Sequence, residues 1–349
     1  MNVHQPRRQT ITTSDGTSLA VEEYGGGTQA RVTIVLVHGL CLSQATWSPQ
    51  IRLLLRRYGT SARIISFDWR GHGQSGSADM DTYTVEQLGR DLAEVLRVLG
   101  VSRQLLLVGH SMGAMAALSY FAIPVTQRPI EPAGLVLVAT AAGRVPERGL
   151  GRLLALPVVE LFAEAVIHVP RHGAERALWA IARSACRTAS RLCGYRETER
   201  ATLASAIDDA LRYTSIRTAV GFLLSIKKLD LYNVLPSISA ATTVLSGSDV
   251  LTPVVHSNEL AAGIPHAVHR HIPEAGHMLL HEAPHAVVSE ISRTIDIISG
   301  SFDACAGASV DAHLTSGNVS SAVEVAPRWS TTPAPPVSQI IAPLKESAQ

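Results

Sequence analysis

Gly109-His110-Ser111-Met112-Gly113 follows the apolar run Gln104-Leu105-Leu106-Leu107-Val108 and precedes the small-residue stretch Ala114-Met115-Ala116-Ala117-Leu118. A G-x-S-x-G pentapeptide in that setting reads as a strand turning straight into a helix with the serine at the apex. So tight a turn leaves no room for side chains beside the serine, hence glycine at both outer positions. The hydroxyl would stand clear of the backbone, beside a helix N-terminus that favours negative charge. Two glycines near a serine in an irregular loop are the plainer explanation, and the flanking segments argue against it.

Outward from the pentapeptide, strands alternate with helices. Residues 9–24 read as two short strands with Ser14-Asp15-Gly16 as their turn. Val32 to Val37 is a continuous apolar and β-branched run, as expected of a strand buried on both faces. Residues 45–57 suit a helix and Arg63 to Phe67 a strand. Thr84 with Gln87 forms a capping box, and Val85, Leu88, Leu92, Val95 and Leu99 then share one helical face up to Gly100. Gly134 to Ala139, Thr242 to Ser246 and Ala267 to Ile272 complete the strands. The expected fold is α/β, a mostly parallel central sheet with helices on both faces.

From Arg144 to about Leu235 only helical patterning remains, with Leu178, Ile181, Ala185, Ala189 and Leu192 as an apolar stripe. That insert should form a helical cap over the strand ends. The expected organisation is core at 1–143, cap at 144–235, core again at 236–299, and a Ser/Thr/Pro/Ala-rich tail at 300–349. The tail lacks any period and is expected to be disordered.

The chain has 349 residues and a formal net charge of +1, which gives no push toward nucleic acid. Cys41, Cys186, Cys193 and Cys305 show no metal-like spacing, and a reduced, cytoplasmic setting is expected. The basic N-terminus lacks the apolar segment of a signal peptide. No run reaches the ~20 apolar residues needed to span a bilayer. Oligomeric state is left open.

A serine hydroxyl is a poor nucleophile at neutral pH; it needs a base, and the base needs an orienting acid. Asp249 and His277 each follow a predicted strand end. All strand C-termini of a parallel sheet open at one edge, so Ser111, Asp249 and His277 can converge there as a catalytic triad. Alone, Asp249 reads equally as a turn aspartate ahead of Thr252-Pro253, and His277 as a surface loop histidine. Their order and placement together favour catalysis. An oxyanion hole needs two backbone N–H groups; Met112 and Leu40, the latter in His38-Gly39-Leu40 after a strand, are the candidates.

His38-Gly39, Phe67-Asp68-Trp69-Arg70-Gly71-His72-Gly73-Gln74-Ser75, the serine pentapeptide, Asp249 and Gly276-His277 together resemble the α/β-hydrolase superfamily, over about residues 9–299. The similarity is to its serine esterase branch, including monoacylglycerol-lipase-like and lysophospholipase-like enzymes. It implies structural roles for Asp68, Arg70 and His72. Ser111 stands where dehalogenases and epoxide hydrolases carry an aspartate nucleophile. Met112 departs from the tryptophan usual in proline iminopeptidases, and His38-Gly39-Leu40-Cys41 from the H-G-G-G of hormone-sensitive-type lipases. The resemblance leaves carbon–carbon bond hydrolases and haloperoxidase-like esterases open.

Trp47 is a candidate for lining the substrate pocket and equally for core packing. Cys41 reads as a small buried residue before a reactive thiol. His266, His269 and His271 resemble a metal cluster, but only His269 and His271 would share a strand face and no third ligand of the right type is evident, so no metal is expected. His110 is not a second base. The cap carries 14 Arg and Lys against nine Asp and Glu between Arg144 and Asp230. Arg183, Arg187 and Arg191 form a stripe, read first as a solvated face and second as a site for anionic headgroups or a phosphorylated acyl carrier. The expected activity is hydrolysis of a small-molecule or lipid-like carboxylic ester with an apolar acyl part, without cofactor. An acyltransferase or thioesterase on the same triad and a non-turnover ligand-binding protein are the alternatives.

Overall fold

The computed structural model describes residues 5–314, apart from Arg103 and most of residues 169–213. Eight strands form one sheet: β1 (Arg7–Thr12), β2 (Ser18–Gly25), β3 (Val32–Val37), β4 (Ala62–Phe67), β5 (Gln104–His110), β6 (Gly134–Val138), β7 (Ala241–Gly247) and β8 (Val268–Ile272). Their order in space is β1-β2-β4-β3-β5-β6-β7-β8. The pairs β1–β2 and β2–β4 are antiparallel and the other five parallel. This is the expected mostly parallel α/β sheet.

Period-two alternation explains why the central strands read as unbroken apolar runs. Val35, Val37, Leu105, Leu107, Leu135 and Leu137 face one core, with the apolar sides of α2 (Val85–Val98) and α3 (Met112–Ala122). Ile34, Leu36, Leu106, Val108, Val136 and Val138 face the other, with α1 (Ser48–Tyr58) and the C-terminal helix Pro284–Leu314. The apolar face expected on α2 is buried throughout.

Register levels the strand ends. Val37 sits opposite Phe67 on one side and Gly109 on the other, and Val138 sits opposite His110 and Leu245. The chain therefore leaves the sheet at one edge through the loops that begin at His38, Asp68, Ser111, Ala139, Ser248 and Pro273.

Three local expectations change. The Thr84 hydroxyl accepts the N–H of Gln87 at 3.1 Å, but the Gln87 amide donates to Asp91 at 3.0 Å instead of closing the capping box. The Thr84 N–H, which the box would use, donates instead to the Thr82 carbonyl at 2.8 Å. Ile181, expected on an apolar stripe, is 57% exposed, while its neighbour Trp179 is buried. The last helix runs past Gly300 to Leu314; residues 315–349, where most of the expected tail falls, lie outside the described residues. So do Ala185, Ala189, Leu192, Arg183, Arg187, Cys186 and Cys193. Arg191 is exposed.

Between β6 and β7 the described residues are mainly helical: short turns over Val145–Glu147 and Gly149–Ala155, then α4 (Pro157–His168) and α5 (Ile216–Lys228). Ala163, Val166, Trp179, Ile216, Ala219 and Val220 form a separate small core there. The two ends of the insert meet in a bridge between Gly143 and Asp230, and the Leu231 N–H donates to the Ala142 carbonyl at 2.8 Å. Compact packing divides the whole chain into Met1–Asp303 and Ala304–Gln349. All the site residues below belong to the first unit.

Candidate active site

Ser111 sits between β5 and α3 at φ 52° and ψ −121°, a conformation rare for any residue with a Cβ. Its N–H donates to the Val138 carbonyl at 2.9 Å, and its carbonyl accepts from the Thr140 hydroxyl at 2.9 Å. These bonds offset the strain. The glycines have steric causes. A Cβ on Gly109 would lie 2.4 Å from Cα of Ala114, and one on Gly113 would lie 2.4 Å from the carbonyl oxygen of Val37. Gly39 also lies close: its Cβ would stand 3.1 Å from Cβ of Ser111.

His277, in the loop after β8, places Nε2 3.2 Å from the Ser111 hydroxyl and Nδ1 2.6 Å from Asp249 Oδ2. Nδ1 donates to the carboxylate, so Nε2 is free to accept the Ser111 proton. Asp249 also accepts the Leu251 N–H at 2.7 Å on Oδ1, and the N–H and hydroxyl of Thr252 on Oδ2. The turn around Asp249 and its contact with His277 are therefore compatible: both oxygens accept N–H groups of the turn, and Oδ2 also meets His277. Burial works against charge on Asp249, but the neighbouring imidazole, Thr252 and Leu251 hold the carboxyl below its usual range. Burial likewise opposes charge on His277, yet Asp249, with help from Glu282, raises it above an ordinary histidine. Glu282 also accepts the Gly276 N–H.

Three further histidines beside the site, His38, His72 and His110, are buried and uncharged. His38 accepts the Trp69 N–H at 3.1 Å on Nε2, so its Nδ1 donates to the Gly39 carbonyl at 2.8 Å. His72 accepts the Cys41 N–H at 3.1 Å on Nε2 and donates from Nδ1 to the Arg70 carbonyl at 3.0 Å. His110 donates from Nε2 to the His277 carbonyl at 2.9 Å. Burial pulls them down to about 4, 3 and 3 respectively. His110 therefore holds the backbone of the loop carrying His277.

Asp68 accepts the Gln44 N–H at 2.7 Å and the Gln74 N–H at 2.8 Å, tying the loop after β3 to its own. Arg70 is fully buried and grips Asp91 with two bonds of 2.6 and 2.7 Å, and Asp15 with one of 2.7 Å. Met112 follows Ser111 as the first residue of α3, and Leu40 follows Gly39, which packs against Ser111, on the β3 loop. Among the described residues neither N–H meets a protein acceptor.

Trp47 departs from the pocket-lining expectation. It is fully buried among Ile34, Leu36 and Leu279. The 3-10 turn that carries it, Gln44–Trp47, leads into α1, and its indole sits in the core on the α1 side of the sheet. Cys41 is half-buried at φ 61° against the small core of the insert, and burial pushes its thiol up to about 12. His269 and His271 both contact the Ser246 hydroxyl, at 2.7 and 3.0 Å. Among the described residues no three potential metal ligands gather, and no helix is long and apolar enough to cross a membrane. Thr140 and Asp91 were not anticipated, nor were the contacts of Thr252 with Asp249 and of Glu282 with the Gly276 N–H. Only Thr252 left a local signal, in the D-x-x-T spacing from Asp249 that suits a side-chain-capped turn.

A model of the alpha/beta hydrolase family matches residues 34–290. A protein of Caulobacter sp. (strain K31), provisionally named carbamate hydrolase RutD, is 35% identical over 98 residues, 28% of this chain and 35% of its own length. The 3-oxoadipate enol-lactonase 1 of Acinetobacter baylyi is 32% identical over 108 residues, 31% of this chain and 37% of its own. The chain thus spans little more than a third of the length of these relatives. Among solved structures, a thermophilic esterase from Thermogutta terrifontis superposes with a TM-score of 0.61 at 24% identity, covering 84% of this chain and 99% of the other. At that identity the likeness is one of fold.

Proposed function

The chain belongs to the alpha/beta hydrolase family, and on that footing we propose that it is a serine hydrolase cleaving a carboxylic ester with an apolar acyl part. One observation carries the reading: the continuous path of hydrogen bonds from Asp249 through His277 to the Ser111 hydroxyl. In this reading His277 takes the hydroxyl proton as Ser111 attacks the carbonyl carbon. The negative oxygen of the tetrahedral species lies against the N–H groups of Leu40 and Met112. Collapse expels the alcohol, which receives its proton from His277. Water, deprotonated by the same imidazole, then releases the acid and frees Ser111. Asp249 keeps Nδ1 protonated and balances the imidazolium formed at each attack. These steps use only the chain's own groups and water.

An ester substrate is supported by the relative whose name concerns an enol-lactone, since a lactone is a cyclic ester. The apolar residues of the insert support an apolar acyl part. The test is a p-nitrophenyl ester series of increasing acyl length on wild type and Ser111→Ala, with fluorophosphonate labelling of both. Hydrolysis and labelling are expected in wild type alone. Equal hydrolysis by both proteins would overturn the assignment of the nucleophile.

A further inference from the structure

His72 touches both the loop that carries Leu40 and the helical insert. On the first side, its Nε2 accepts the Cys41 N–H at 3.1 Å, and its Nδ1 is already spent on the Arg70 carbonyl. The ring is therefore held in one neutral tautomer, and its burial keeps it an acceptor far below neutral pH. Anchoring the Cys41 N–H fixes the peptide plane next to the one that carries the Leu40 N–H. Cys41 needs such an anchor, because a residue with a Cβ is strained at φ 61°.

On the other side, the His72 backbone pairs with Thr214, just ahead of α5 in the insert, in an antiparallel bridge. Its ring lies 5.6 Å from that of Phe222 on α5. Gly71 presses still closer to α5. A Cβ there would fall 2.6 Å from the Thr218 side chain and 2.9 Å from Tyr83. The Gly71-His72 step is thus wedged between the insert and the Leu40 loop. Asp68 and Arg70 anchor the same loop elsewhere, to Gln44 and to Asp91.

We propose that His72 is a positioning residue that couples the helical insert to the Leu40 N–H, so that an acyl group seated against the insert improves the oxyanion contact. The proposal rests on the reading of Ser111 as nucleophile and Leu40 as oxyanion donor. It makes His72 a determinant of chain-length preference expressed in kcat, without contact to substrate.

The test compares His72→Leu, which keeps bulk and removes the acceptor, with His72→Gln, whose carbonyl can replace Nε2. Both are assayed on p-nitrophenyl esters from acetate to decanoate, with active sites titrated by fluorophosphonate. Per titrated site, His72→Leu is expected to lose about 10- to 100-fold in kcat, less than outright deletion of an oxyanion donor. Its KM should stay close to wild type, and its kcat should no longer vary with acyl length. His72→Gln should recover most of the loss and the length dependence. Should His72→Leu not fold, His72→Asn, too short to reach the Cys41 N–H, replaces it with the same expectation. A purely structural role would lower the melting temperature and the number of titratable sites but leave kcat per site and its length profile unchanged, and that result overturns the proposal. Wild type that neither hydrolyses the esters nor takes the label would instead refute the reading of Ser111.

Discussion

Replacing Asp249 by asparagine removes one charge and leaves the shape of the site intact. The side chain serves four donors: Leu251 N–H on Oδ1, and Thr252 N–H, Thr252 O–H and His277 Nδ1–H on Oδ2. The amide nitrogen has one inexpensive place to go, the Oδ1 position, where it opposes a single N–H. The oxygen then still faces His277, and the productive tautomer survives. What is lost is the charge. Asp249 is 1% exposed and His277 14%, so solvent screens their interaction little. At about 4 Å and an effective dielectric of about 20, two unit charges are worth about 4 kcal/mol, or roughly three decades of rate. The expected result for Asp249→Asn is a fall of about a thousandfold in kcat/KM for a p-nitrophenyl ester. The acid limb of the pH profile should move down, because Asp249 is what raises His277 against the pull of burial. Wild type needs neutral His277, so its activity should fall as pH drops through a value above about 6.5. Loss near ten-thousandfold would mean that the imidazole has flipped to the wrong tautomer. A variant within tenfold of wild type, with its acid limb unmoved, would refute the role given to Asp249.

Three further outcomes are expected. Gly113→Ala places a Cβ 2.4 and 2.5 Å from the carbonyls of Val37 and His38. It should lower stability by about 3 kcal/mol in urea titration and suppress activity by pushing α3 from β3; an unchanged midpoint would refute the close approach. Arg70→Met strands the buried Asp91 carboxylate and should cost about 3–5 kcal/mol, with Arg70→Met/Asp91→Leu recovering much of it. A double variant no more stable than the single one would refute that account. Acid should weaken the fold steeply. His38, His72 and His110 stay neutral when folded down to about 4, 3 and 3. The unfolded chain takes up their protons near 6.5, so each histidine lowers stability by about 1.4 kcal/mol per pH unit below that value until its folded pKa is reached. Stability measured from pH 7 to 4.5 should fall along that slope, and a flat profile would contradict the burial of the three rings.

The strands and helices around Ser111 were legible because each carries its period locally. A run such as Val32 to Val37 can only be a strand with both faces covered, and α2 shows its buried stripe at helical spacing. The serine turn was legible for the same reason, since its glycines answer to atoms a few residues away in the chain or on the adjoining strand. Trp47 was not. An indole near an active-site loop suits a pocket or a core equally until the packing of α1 on the sheet is known. The insert was read only coarsely, because a helical stripe does not say which neighbour it faces; Ile181 shows the cost.

What the chain determined by itself was therefore the alternation of strand and helix, the elbow at Ser111, and the order of Ser, Asp and His. Those depend on short-range sterics and on periodicity, which a linear sequence carries. What only the tertiary structure decided was how the loops are held. His38 on Trp69, His72 on Cys41, His110 on the His277 carbonyl and Arg70 on Asp91 are contacts between segments far apart in the chain. Their donors and acceptors are fixed by burial and strand register, and neither can be read from a residue's neighbours in sequence.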